Sequence, residues 1–161
     1  MNPSFAVFEK VINNPIRFRF FLLLKLPTAF LCGLRIKHFS AASNTIVVKH
    51  WWFVQNPFRS MYFAVQSMAA EMSTGLMSFG QVYKRKPAVS MLVVSLESSF
   101  VKKATGKIYF SCNDGELIEK AVEQAIATGE STSVVTHSIG RNESNEVVSE
   151  FKITWSFKAR K

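Results

Sequence analysis

Cysteine is scarce in this 161-residue chain: Cys32 and Cys112 stand alone, without the CxxC spacing of a zinc or redox site and too few for a disulfide scaffold. Reduced, buried thiols are the expectation. His38, His50 and His137 are scattered, with no HExxH or similar ligand spacing, so no protein-bound metal is expected. Long apolar runs are missing as well. The longest stretch without a formal charge, Met72 to Tyr83, has 12 residues, short of the roughly 18 that a membrane-spanning helix needs. Arg17-Phe18-Arg19 ahead of Phe20 to Leu24 imitates a secretory leader. Lys25 and Pro27 interrupt it, and Leu31 before Cys32 does not suit cleavage after small residues. A cytoplasmic protein without a transmembrane segment is expected. Acidic residues are in deficit, 11 Asp and Glu against 20 Lys and Arg, for a formal net charge of +9. Such an excess favours polyanionic partners: nucleic acid, an acidic membrane or a phosphorylated cofactor.

With 48% hydrophobic residues and fifteen Phe the chain is too apolar for disorder, and its length suits one domain with a single sizeable core. The informative stretch is Ser60 to Tyr83, 24 residues with one formal charge, Glu71. An ionised carboxylate is costly to remove from water unless it is paired, hydrogen-bonded or neutralised by a raised pKa. At helical periodicity Ser60, Ala64, Ser67, Met68, Thr74, Gly75 and Ser78 share the face of Glu71. Met61, Val65, Ala69, Met72, Leu76 and Phe79 form an apolar flank. The flank supplies burial against a sheet, and the small face admits close approach of a backbone or ligand.

Around this helix the pattern predicts one antiparallel sheet. Met1 to Asn14 and Ile16 to Lys25 read as helices, the second amphipathic and laid on the body of the protein rather than on a membrane surface. Leu34 to Phe39 alternates as a half-buried strand, and Thr45 to Val54 is β-branched and aromatic, a second strand antiparallel to it. Ser60 is the expected N-cap of the central helix, with Gly80 and Lys84-Arg85-Lys86 ending it. Val89 to Val101 and Lys107 to Cys112 read as a hairpin about Gly106, and Glu116 to Thr128 as a helix stopped by Gly129. Ser131 to Gly140 and Val147 to Lys158 form a last hairpin. The fold class is α+β: about six strands around one long central helix, with an N-terminal helical segment, 1–25, and an inserted helix on a domain spanning 26–161.

In this order of elements the chain resembles the hotdog-fold thioesterase superfamily, most closely a branch known only as a domain of unknown function. The resemblance runs from about Leu26 to the C-terminus. Its sharpest piece is Asn56 after the second strand, then Glu71 with Gly75 four positions on, similar to the family run of Asn, His-Gly-Gly, a carboxylate and Gly. In the phenylacetyl-CoA and 4-hydroxybenzoyl-CoA thioesterases the helix carboxylate is nucleophile or general base, and an N–H near the helix start polarises the thioester carbonyl. The resemblance therefore implies Glu71 as that carboxylate and Asn56 as the amide orienting carbonyl or water. The Phe63 N–H would be the oxyanion donor, with Tyr62, Ala64, Ser67 and Gly75 lining the approach. Tyr62-Phe63-Ala64 stands where the family has His-Gly-Gly, so a Phe side chain shadows a backbone that is bare elsewhere. Arg59, Lys102 and Lys103 are candidates for the phosphates of coenzyme A. An acyl-CoA substrate, no cofactor, and a homodimer or dimer of dimers with pockets lined by both subunits are implied.

Other readings stand beside this one. Glu71 can be half of a structural ion pair, and Asn56 before Pro57 a simple turn-former. A non-catalytic hotdog binding an acyl chain, a fatty acid or acyl carrier protein is the alternative function. His50-Trp51-Trp52 suggests a stacking platform for a base. Adjacent residues of a strand point to opposite faces, however, which favours core or dimer packing, and the charges are spread through turns and termini, which disfavours nucleic acid.

Overall fold

The computed structural model of the protein describes residues 2–160. The central helix, α4 (Phe63–Val82), follows three short N-terminal helices, α1 (Phe5–Ile12), α2 (Pro15–Lys25) and α3 (Pro27–Leu31). Between them come β1 (Arg35–Phe39), β2 (Asn44–Lys49) and a single turn of tight helix at Trp52–Val54. After α4 come β3 (Val89–Phe100), β4 (Lys107–Cys112), α5 (Gly115–Thr128), β5 (Thr132–Arg141) and β6 (Val147–Ala159). The six strands make one antiparallel sheet in the order β1-β2-β4-β5-β6-β3, which leaves β1 and β3 as its edges. The β5–β6 hairpin forms as the Arg141-to-Asn145 turn predicts.

Four local expectations are corrected. Val89–Phe100 and Lys107–Cys112 do not form a hairpin: β3 pairs with β6, while β4 pairs with β2 and β5. The second strand stops at Lys49, so Trp51 and Trp52 lie on an exposed turn and neither packs in the core. Ser60 does not cap α4; Tyr62 occupies that position, and no side chain closes the cap. Gly80 does not end the helix either. It sits inside α4, packed under the Phe5 ring, where a Cβ would stand 2.5 Å from Cε2.

The sheet wraps α4 so completely that from Met72 onward nearly every position is buried. Several of the polar residues there are bonded to strands, while Ser78 donates to the Thr74 carbonyl within the helix and Gln81 accepts from the Asn2 N–H. Asn44 on β2 donates to the Met72 and Ser73 carbonyls at 3.2 and 2.9 Å, and Ser73 donates to Ser138 on β5 at 2.8 Å. Trp155 Nε1 on β6 donates to Thr74 Oγ1 at 2.9 Å, and Ser149 donates to Gln66 Oε1 at 2.9 Å. Buried polar atoms satisfied in this way cost little and fix the rotation of the helix. The small face of α4 is therefore in part a contact with the sheet: Gly75 lies against the Trp155 ring, where a Cβ would meet Cζ2 at 3.0 Å.

The N-terminal helices close the open end. Asn2 Nδ2 donates to the carbonyls of Gly80 and Tyr83, both at 2.8 Å, satisfying acceptors that the end of α4 leaves over. Phe5 stacks on Phe39 and Phe8 meets it edge-on, and α2 buries Phe18 and Leu22 beneath itself. α2 differs from an ordinary amphipathic helix in one respect: Ile16, Phe20, Leu23 and Leu24, on its opposite face, are exposed. Arg85, just past the end of α4, pairs with Glu123 of α5.

Candidate functional site

Glu71 lies at the middle of α4, at the edge of a cavity of about 420 Å³ whose walls include Phe21, Lys25, Leu26, Met72 and Met91. Among the described residues no hydrogen bond or ion pair is found for its carboxylate, so it is not half of a structural ion pair. Burial pushes its pKa up to about 7, because an ionised carboxyl loses hydration there that nothing replaces. Oε1 rests against Gly75: a Cβ at that position would come within 2.8 Å of it. The helix beneath is held by Thr74, whose Oγ1 donates to the Glu71 carbonyl at 3.0 Å and accepts from Trp155. A carboxylate near neutrality, in an apolar cavity, on a rigid helix, has the properties of a general base or nucleophile.

Of the other residues singled out from the sequence, Gly75 lines the same cavity, and five gather elsewhere. Asn56, Tyr62 and Phe63 line a second cavity of about 540 Å³, together with Gln66, Phe100, Lys102 and Lys103. It opens at the first turn of α4, where Phe63 and Ala64 hold the first two helical positions. Backbone N–H groups there have no acceptor within the helix. Asn56 is a turn-former as well as a candidate: its Oδ1 accepts from the N–H groups of Phe58 and Ser60 at 3.0 and 3.2 Å. The Phe63 ring packs edge-on against Tyr62 and Phe100. Ser67 Oγ is turned back to the Phe63 carbonyl at 3.0 Å. Lys102 is engaged with Glu146 at 2.6 Å, an exposed pair, and Arg59 stands on the exposed loop with φ 59°.

Eight residues separate Phe63 from Glu71, a rise of about 12 Å along one helix. A single chain therefore does not bring the carboxylate and the helix N-terminus to one reacting group. Residues that the sequence did not single out are Lys25, Phe21 and Leu26, which reach the Glu71 cavity from α2 and the turn after it. No local spacing ties them to a glutamate so far along the chain. Cys32 and Cys112 are free and buried, and burial pushes the Cys112 thiol up to about 12, outside any nucleophilic range. Among the described residues there is no cluster of His, Cys, Asp and Glu that could hold a metal ion, and no helix long and apolar enough to cross a membrane.

One antiparallel sheet of six strands closed about a long central helix is the hotdog architecture. The chain belongs to the DUF4442 family, a domain of unknown function, whose profile matches residues 16–157. Its architecture is similar to that of a protein of unknown function from Pseudomonas aeruginosa described as a probable thioesterase. The TM-score is 0.76 at 18% identity, covering 91% of this chain and 97% of that one. It is also similar to a protein of unknown function from Chlorobaculum tepidum TLS, with a TM-score of 0.76 at 14% identity, covering 99% and 98%. A thioesterase from Haemophilus influenzae matches with a TM-score of 0.60 at 13% identity, covering 85% and 86%. No curated protein matches the sequence.

Proposed function

We propose that the protein hydrolyses an acyl-CoA or a related hydrophobic thioester. The observation that carries this reading is Glu71: a carboxylate without a partner among the described residues, held at about 7 by burial at the mouth of an apolar cavity. In this reaction Glu71 takes a proton from water while the water oxygen bonds to the thioester carbon. Collapse of the tetrahedral intermediate breaks the carbon–sulfur bond, and the departing thiolate takes the proton that Glu71 drew from water, leaving as coenzyme A and restoring the carboxylate. Direct attack by Glu71, followed by hydrolysis of the acyl-enzyme anhydride, is the equivalent covalent route. The Phe63 N–H, at the positive end of α4, stabilises the oxyanion, and the Asn56 amide orients the carbonyl. Arg59 and Lys103 meet the phosphates of coenzyme A, with Lys102 able to exchange Glu146 for a phosphate.

Two copies are needed, because one helix separates its N-terminus from Glu71. Support for a homodimer, or a dimer of dimers, comes from β3, a 12-residue edge strand on which Leu92, Val94 and Leu96 are exposed. An edge of that length attracts a second strand. Phe63, Phe100 and Val101 extend the exposed apolar surface to the start of α4.

The ring of Phe63, packed on Tyr62 and Phe100 over the helix start, favours a second reading in which the protein binds an acyl chain without cleaving it. Thiol release from acyl-CoAs with short, long and aromatic acyl groups, measured for wild type beside Glu71→Gln, separates the two. Turnover lost in the variant supports the hydrolase. Retention of an acyl ligand in native mass spectrometry, with no turnover by folded protein, supports the binding protein.

A further inference from the structure

We propose that α2 is a membrane-surface helix that seats the protein on a bilayer containing anionic lipid. The helix has two apolar faces and needs only one for the core. Phe18 and Leu22 are buried underneath, while Ile16, Phe20 and Leu24 are 69, 60 and 75% exposed on the opposite side with Leu23 beside them. At about 100° per residue these four fall within one arc, with Arg17 at one margin and Arg19 at the other. An interfacial helix is built in this way: large apolar side chains enter the acyl boundary while cations at the margins reach the headgroups.

The charge of the surrounding chain agrees. From Lys10 to Ala70 there are eight Lys and Arg and not one Asp or Glu. Beside α2 lies a groove of about 860 Å³ with an apolar floor that includes Ile12 and Phe30 and a basic rim of Arg19, Arg35 and Lys37. Arg19 is folded onto α3 at this rim, donating to the Phe30 carbonyl at 3.3 Å and stacking over the Phe30 ring at 3.8 Å. An apolar face with only cations at its margins complements a negatively charged bilayer; a second copy of the chain would bring like charges together across the contact. The same helix contributes Phe21 and Lys25 to the wall of the Glu71 cavity. Phe21 and Lys25 point to the packed side of α2, so docking through its other face would leave that cavity behind the helix, about 10 Å from a bilayer in which a long-chain acyl thioester partitions. The inference does not rest on hydrolysis and holds equally for an acyl-binding protein.

Sedimentation of the full chain with extruded vesicles tests it, using phosphatidylcholine alone and phosphatidylcholine mixed with about a third phosphatidylglycerol to give an anionic surface. Binding to the mixed vesicles only, falling as salt rises, is the expected result. Phe20→Ser with Leu24→Ser should lower the partition coefficient on the order of a hundredfold, and Arg17→Glu on the order of tenfold. All three positions are exposed, so circular dichroism and oligomeric mass should not change; if the double variant misfolds, Leu24→Ser alone is read the same way. Absence of binding at low salt would overturn the proposal. So would unchanged binding by the folded serine variant, which would leave only diffuse charge at work. A fall in its oligomeric mass would instead assign the face to a contact between copies and overturn it equally.

Discussion

Replacing Glu71 by Gln should raise stability and abolish turnover together, and the two effects share one cause. An open glutamate carboxyl has a pKa near 4.5, and burial raises that of Glu71 to about 7. Between those values the folded protein holds a proton that the unfolded chain has released, so stability falls as pH rises through this window and stays low above it. Each tenfold in acid dissociation is worth about 1.4 kcal/mol, so the ionised carboxylate costs the native state roughly 3 kcal/mol at pH 8. Gln keeps the shape and removes the charge. Its melting temperature should exceed that of wild type by roughly 6–12 °C at about pH 8 and by little near pH 4, given ~2–4 °C per kcal/mol for a domain of this size. Calorimetry across pH measures this, and the pH–rate profile of the wild type supplies the kinetic counterpart. kcat/KM should rise to a plateau with an inflection near 7. A variant that melts at or below the wild-type temperature at pH 8 would show the carboxylate to be paired or hydrated, and Glu71 would not be a poised base.

Gly75→Ala puts a methyl 2.8 Å from Glu71 Oε1 and 3.0 Å from the Trp155 ring. The carboxylate can swing and the ring cannot, so kcat should fall about tenfold or more with a stability loss of roughly 1–3 kcal/mol, measured by turnover and denaturant titration. Thr74→Val strands the buried Trp155 N–H that now bonds to Thr74 at 2.9 Å, at a cost of about 1–3 kcal/mol in urea unfolding. Leu92→Glu with Val94→Lys on the exposed edge of β3 should reduce the mass in sedimentation velocity to that of one chain and abolish turnover.

The arrangement of the sheet was legible wherever one short segment encodes one element. Lys107–Cys112, with its alternation, and the β5–β6 hairpin about a polar turn are set by local pattern. Pairing was not legible, since β3 prefers β6 to the strand that follows it for reasons of closure around α4. The breadth of aromatic residues after Lys49 misled in the same way: Trp51 to Val54 has strand composition, yet the chain must turn there to reach the start of α4. Within α4 the oddity of a lone carboxylate pointed to Glu71, but its neighbours Ser73 and Thr74 were bound to strands that no spacing could identify. The second apolar face of α2 is visible in sequence only once it is known which face packs.

The proposed dimer has a consequence for Phe63 that a single chain cannot reproduce. Phe63 is the first helical residue of α4, and Tyr62 before it is extended at φ −61° and ψ 136°. Both conditions suit proline at position 63, which pre-sets the first turn and lacks only the N–H. Phe63→Pro therefore removes the proposed oxyanion donor while leaving the helix start intact, and should cost on the order of a hundredfold or more in kcat. If each site takes its N–H from one subunit and Glu71 from the other, unfolding and refolding Phe63→Pro together with Glu71→Gln should restore activity. Random pairing makes about half of the dimers mixed, and each mixed dimer has one intact site, so about a quarter of wild-type turnover should return. Sites complete within one subunit cannot be rescued this way, because every chain in the mixture lacks one group. Mixed dimers present by mass with no recovered thiol release would confine both groups to a single chain, and the helix that separates them would then exclude their acting on the same thioester.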